Sequence, residues 1–140
     1  MDFATDNLFR LGLDKIAGYL EGGIEAWYKQ GFPITKNGLL SVHELKKMID
    51  TNQEITILDV RREKEWNDGH IIGAMRIYLG QLPKQTDKIP KNKPIVVICK
   101  TGNRSSFGTS ILLRAGFDNV YNCLGGIEAW VKAGFKLTKS

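Results

Sequence analysis

Cysteine and histidine are scarce in this chain, with two of each among 140 residues. Cys99 and Cys123 are too few for a disulfide scaffold, and a reactive thiol must stay reducible, so the expected compartment is a reducing cytoplasm. His43 and His70 are too few to build a metal cluster. No run of about eighteen apolar residues is present, and the first residues carry no basic start followed by an apolar core. Neither a membrane span nor a secretory leader is therefore expected. An excess of acidic charge is lacking too: 20 Lys and Arg against 15 Asp and Glu leave a net charge of +5. The lysines at 84, 88, 91, 93 and 100 are not interleaved with aromatics, so they read as solvated loop charge and not as a nucleic-acid surface. What remains, 42% hydrophobic and 25% charged residues, is ordinary for a globular protein, and the length suits one domain with a proper core.

The most informative stretch is Val96-Val97-Ile98-Cys99-Lys100-Thr101-Gly102-Asn103-Arg104-Ser105-Ser106. Its β-branched start predicts a buried strand, and the pattern from Ser105 through Ile111, Leu112 and Leu113 predicts a helix over 105–114. Cys99 then sits at a strand-to-helix turn, where loop amides and a helix N-terminus favour a thiolate. Lys100 and Arg104 add positive charge that would attract small anions, and Gly102 lets the backbone curl. A buried structural cysteine is the plainer reading, but it leaves this concentration of Gly, Lys, Arg and Ser unexplained.

Cys99-Lys100-Thr101-Gly102-Asn103-Arg104-Ser105 resembles the active-site loop of the rhodanese sulfurtransferase family. Two further groups of segments match in order: Leu58-Asp59-Val60-Arg61 with Glu65, Gly69-His70-Ile71 and Gly73-Ala74, then Gly116-Phe117 with Asn119-Val120 and Leu124-Gly125-Gly126-Ile127-Glu128-Ala129-Trp130. The resemblance covers about residues 38–135. It implies a catalytic Cys99, a substrate-binding loop of Lys100, Thr101, Gly102, Asn103, Arg104 and Ser105, and a supporting network of Asp59, Arg61, Glu65 and His70 bracing the loops beside it. No cofactor and no metal are implied. Strands alternating with helices independently predict an α/β fold, a doubly wound, mainly parallel sheet flanked by helices.

The first thirty-six residues repeat the end of the chain. Arg10-Leu11-Gly12-Leu13-Asp14 and Gly22-Gly23-Ile24-Glu25-Ala26-Trp27 recur as Arg114-Ala115-Gly116-Phe117-Asp118 and Gly125-Gly126-Ile127-Glu128-Ala129-Trp130. Gly116 lies 104 positions after Gly12 and Trp130 lies 103 after Trp27, about one domain length. Residues 1–36 are thus expected to be the C-terminal tail of an upstream rhodanese-like repeat plus a linker, and 37–140 the complete domain. Either the chain is a piece of a longer protein starting at an added Met1, or a short protein kept a remnant. The first is preferred, because a remnant has little reason to preserve a core-type helix. The run at 18–27 also resembles repeats in fusions of rhodaneses with metallo-β-lactamase-fold proteins, which implies such a domain in the parent chain. The apolar Phe3, Leu8, Ile16, Tyr19, Ile24 and Trp27 would seek cover, and pairing with a second copy in a swapped dimer is one route.

Within the complete domain, Ser41-Val42-His43-Glu44 predicts a capping box opening a helix with Leu45, Met48 and Ile49 on its apolar face. Residues 54–60 predict a buried parallel strand with Asp59 and Arg61 at its carboxyl end, where α/β sites gather. Residues 80–94 predict a loop with one short turn. Gly116 predicts a helix stop, Cys123 a core position in a short strand, and Gly125-Gly126 the start of a last helix burying Ile127 and Trp130.

Loop length separates two chemistries. Phosphatases and arsenate reductases of related fold place arginine six after the cysteine, whereas here Arg104 is five after and Ser105 is sixth. The smaller ring suits a single terminal sulfur. The expected activity is transfer of a sulfane sulfur from thiosulfate or another persulfide donor, through a Cys99 persulfide, to a thiol or cyanide acceptor. A non-turnover persulfide carrier or a protein-docking module is the alternative.

Overall fold

A computed structural model of the chain describes residues 3–139. The chain divides between Thr35 and Lys36 into two compact units.

The first unit holds two short helices, α1 (Phe3–Arg10) and α2 (Gly23–Lys29), neither with a buried residue. Its order comes from local contacts. The indole Nε1 of Trp27 donates to Pro33 O at 2.9 Å, and the Trp27 and Phe32 rings lie 4.7 Å apart.

The second unit runs β1 (Gly38–Leu40), α3 (Val42–Asp50), β2 (Thr56–Asp59), α4 (Glu63–Asp68), β3 (Met75–Arg76), β4 (Ile95–Ile98), α5 (Asn103–Arg114), β5 (Val120–Cys123) and α6 (Gly126–Lys132). The strands form one parallel sheet in the order β1-β5-β4-β2-β3. Every residue of β2 and β4 is buried, as a sheet covered on both faces requires. The period of two along β4 sorts its side chains between two cores. Ile95, Val97 and Cys99 join Leu58, Val60, Leu82, Leu112 and Phe117 on one face, while Val96 and Ile98 join Leu45, Ile57, Cys123, Ile127 and Trp130 on the other. Each such side chain contributes about 1.5–3 kcal/mol by leaving water.

The predicted capping box is present. Ser41 N donates to Glu44 Oε2 at 2.8 Å, and Glu44 N donates to Ser41 Oγ at 3.2 Å. Two sequence expectations need correction. Helix α5 begins at Asn103, two residues before Ser105, because Gly102 at φ 105° turns the chain directly into the first helical residue. Residues 80–94 carry two 3-10 turns, Leu82–Lys84 and Thr86–Lys88, in place of one turn in a loop, because the buried Leu82 and Ile89 anchor the segment to the core. Beyond α6, Thr138 and His70 exchange backbone hydrogen bonds of 2.8 and 2.9 Å, so the end of the chain is strapped onto the loop after α4. Among the described residues no helix is long and apolar enough to cross a membrane.

Candidate active site

Cys99 follows directly on β4, at the carboxyl end of the sheet, and the backbone from Lys100 to Gly102 closes a ring around its sulfur. Gly102 N–H donates to Cys99 Sγ at 3.1 Å, and the Ser105 hydroxyl lies 3.3 Å from it. The side chain has no exposed surface. Burial pushes the thiol up, but the Ser105 hydroxyl and the amides of Ser105, Gly102 and Thr101 outweigh it, so the Cys99 thiol ionises below its ordinary value. The expected cradle of amides is therefore joined by a hydroxyl. Ser105, expected as a helix start, is the strongest of the groups that favour the thiolate.

The ring is held from outside by the C-terminal elements. Ile127 N donates to Cys99 O at 2.9 Å and Glu128 N donates to Lys100 O at 3.0 Å, so the first turn of α6 grips the two carbonyls flanking the start of the loop. Gly126 makes that approach possible, since a Cβ there would lie 2.2 Å from Cys99 O. From β5, Asn122 Nδ2 donates to Gly102 O at 3.2 Å, fixing the residue whose amide holds the sulfur. Asn122 Oδ1 is buried without a partner. Sequence reasoning passed over Asn122, although an amide side chain in an otherwise apolar strand next to Cys123 was a signal.

The basic residues of the loop each face a carboxylate. Arg104 makes a two-pronged pair with Glu65 at 2.6 and 2.8 Å, because α4 brings that carboxylate alongside α5. The guanidinium holds Glu65 down to about 2, and Glu65 with the Cys99 charge raises Arg104 in return. Lys100 lies 3.4 Å from Glu128, with both side chains largely exposed. The pull of this loop on a passing anion is therefore partly offset by carboxylates.

The residues expected as a supporting network make three sets of direct contacts, and the Arg61 charge also acts on Glu65. Asp59, with no exposed surface, takes the Arg61 Nε and Nη2 hydrogen bonds at 2.7–3.0 Å, and Arg61 Nη2 also donates to Gly69 O at 2.8 Å. Glu65 belongs to Arg104. His70 stacks on Trp66 at 3.6 Å, and its Nδ1 donates to Trp66 O at 3.0 Å, which commits that nitrogen to holding a proton. Cys123 is buried among apolar side chains, and burial, with the Cys99 charge second, pushes its thiol up to about 12. It stays protonated wherever Cys99 is a nucleophile. Among the described residues no group of His, Cys, Asp and Glu is arranged to hold a metal ion.

A cleft of about 530 Å³ lies against the loop, bounded by Arg61, Glu65 and Asp68 on one side and by Lys100, Ile127, Glu128, Val131 and Lys132 on the other. A second, of about 480 Å³, shares Glu65 and adds Arg104 and Tyr78, so the Glu65–Arg104 pair borders both.

This strand-turn-helix site coincides with a recognised family. The family model described as the rhodanese-like domain matches residues 41–133. The chain belongs to the rhodanese-like domain family. Curated relatives of this rhodanese-like domain include the thiosulfate sulfurtransferase GlpE of Shewanella oneidensis, 34% identical over 94 residues that cover 67% of this chain and 92% of the relative. A Bacillus subtilis protein named as a sulfur carrier, YrkF, is 32% identical over 91 residues, 65% of this chain. The chain spans about half of YrkF, 49% of its length, and a quarter of the adenylyltransferase/sulfurtransferase MoeZ of Mycobacterium tuberculosis. Among solved structures, a rhodanese-related protein from Thermoplasma volcanium superimposes with a TM-score of 0.68 at 27% identity, covering 75% of this chain and all of the other.

Proposed function

We propose that this rhodanese-like domain is a sulfurtransferase in which Cys99 carries the sulfur, with Lys100, Thr101, Gly102, Asn103, Arg104 and Ser105 as the surrounding substrate loop. The observation that carries the reading is the ring of amides and the Ser105 hydroxyl directed at Sγ. The Cys99 thiolate attacks the outer sulfur of thiosulfate or of a persulfide. A new S–S bond forms, the donor's bond breaks, and sulfite or a thiolate leaves with the electron pair. The same amides then face the negative outer sulfur of Cys99–S–S⁻. An acceptor thiolate or cyanide takes that sulfur, and the electron pair returns to Sγ. A thiolate already favoured by its ring needs no general base, which fits the commitment of His70 to Trp66. Because Sγ has no exposed surface, side chains at the mouth must move aside for a donor to touch it.

Incubation with thiosulfate followed by intact mass tests the assignment. One added sulfur is expected on the native protein and on Cys123→Ser, and none on Cys99→Ser. Loading on Cys99→Ser would overturn it. The sulfur-carrier name of one relative supports a second reading, a carrier that loads but discharges only to a partner protein; turnover with small thiols separates the two.

For residues 1–36 we keep the reading of a tail from a second rhodanese-like repeat, with a metallo-β-lactamase-fold domain in the parent chain and a swapped dimer as its proposed consequences. The support is the shared run at 22–27 and 125–130 and the exposed apolar side chains of the first unit. Light scattering of a chain lacking residues 1–36 tests the dimer.

A further inference from the structure

The larger cleft beside the loop is charged in a particular way. Arg61, Lys100 and Lys132 face it with Glu65, Asp68 and Glu128, three charges of each sign. Four of these six are already engaged, Arg61 with Asp59, Glu65 with Arg104, and Lys100 with Glu128. Asp68, the last residue of α4, and Lys132, the last of α6, are exposed and in no ion pair among the described residues. Ile127 and Val131 supply an apolar patch on the α6 side. A dianion gains no net attraction from such a balanced lining, and a purely apolar thiol would take water from both charges without replacing it. A molecule with one positive group, one negative group and a short aliphatic arm satisfies all three features.

From this we infer that the cleft receives the sulfur acceptor, and that the acceptor is a zwitterionic α-amino-acid thiol of the cysteine type, its carboxylate toward Lys132 and its ammonium toward Asp68. The inference rests on the sulfurtransferase reading above. The step balances: the acceptor thiol releases its proton to solvent, its thiolate forms an S–S bond to the outer sulfur of Cys99–S–S⁻, the Sγ–S bond breaks, and its electron pair restores the Cys99 thiolate.

The experiment loads the full chain with thiosulfate, confirms the persulfide by mass, and measures discharge by L-cysteine, N-acetyl-L-cysteine without the ammonium, cysteamine without the carboxylate, and 2-mercaptoethanol with neither. Comparing native protein with Lys132→Gln and Asp68→Asn for each thiol cancels the thiols' differing intrinsic reactivity. Lys132→Gln is expected to lower kcat/KM for cysteine relative to cysteamine by about five-fold, and Asp68→Asn to lower it relative to N-acetylcysteine by a similar factor, with both effects shrinking in high salt. A loaded protein whose selectivity is the same in both variants overturns the inference and leaves the sulfurtransferase reading intact. Failure to load overturns that reading instead. In that case, binding of the unreactive S-methyl-L-cysteine, followed by NMR shifts at the ends of α4 and α6, decides the cleft by itself, and no binding, or binding equal in both variants, refutes it.

Discussion

Helices α2 and α6 share Gly-Gly-Ile-Glu-Ala-Trp, and their local structure is the same. The indoles of Trp27 and Trp130 each donate to a carbonyl six residues on, at 2.9 and 3.0 Å, and each packs against an aromatic five residues on, at 4.7 and 5.0 Å. The surroundings differ completely. Ile24 is 64% exposed and Ile127 is 7% exposed. The amides of Ile127 and Glu128 grip the carbonyls of the sulfur loop, a role that the first helix has no loop within its own unit to fill. One short sequence therefore encodes a turn, a helix and an indole hydrogen bond wherever it stands, while its contribution to stability depends on the sheet beneath it.

The equivalent glycines offer the sharpest way to break this comparison. Gly126 and Gly23 have positive φ of 57° and 63°, but a Cβ on Gly126 meets Cys99 O at 2.2 Å and Lys100 O at 2.7 Å, whereas one on Gly23 meets nothing within 4 Å. Gly23→Ala is expected to cost only the left-handed strain, about 1–2 kcal/mol within its own unit. Gly126→Ala adds a backbone collision and is expected to cost about 4 kcal/mol or more and to abolish sulfur loading. Thermal melts with mass measurement after thiosulfate check both, and equal losses would end the distinction.

The tryptophans should follow the same order. Trp130→Ala is expected to lower stability by about 3–5 kcal/mol in urea unfolding. Trp27→Ala, in a helix without a buried residue, should cost far less than Trp130→Ala, and an equal loss would end the distinction.

The ring around Cys99 lies in the second unit, and it can be weakened one donor at a time. Ser105→Ala removes the strongest group favouring the Cys99 thiolate, so alkylation at pH 7 should slow by about ten-fold and its pH midpoint should move up. Asn122→Leu should also raise the midpoint while costing little stability, because it removes the orphaned Oδ1 together with the donor to Gly102. An unchanged midpoint in both variants would assign the thiolate to other causes.

The smallest effect concerns acid. Glu65 is held at about 2 in the folded protein against about 4.3 for a free glutamate, so its pair with Arg104 stabilises the fold above the unfolded value. That contribution should fade as pH falls from about 4.5 towards 2. Partial exposure of both side chains keeps it at about 1 kcal/mol or below. A Glu65→Gln variant should lie below the native protein in stability at pH 7 and converge with it near pH 2, and a constant gap would exclude the pair as the source.

Local signals carried most of the fold. The Ser41–Glu44 cap, the fully apolar β4 leading into Cys99 and the Gly116 stop each depend on neighbours within a few residues, and the structure contains all three. What escaped the sequence joins residues far apart in it. The Arg104 pair with Glu65 and the Asn122 bond to Gly102 span 39 and 20 positions, and no periodicity records which side chains a parallel sheet will bring together. The resemblance names Asp59, Arg61, Glu65 and His70 together, while the stacking of His70 on Trp66 is a contact that no spacing in the sequence announces.

The grip of α6 on the loop also sets a timetable. A chain emerging from the ribosome exposes Cys99 well before residues 126–128, and until those amides reach the Cys99 and Lys100 carbonyls the ring is unfinished. Until the last helix docks, the carbonyls of Cys99 and Lys100 lack the amides of Ile127 and Glu128, so the final hold on the loop depends on residues made after it. The first turn of α6 is in this sense a latch, closing backbone hydrogen bonds that the loop leaves open.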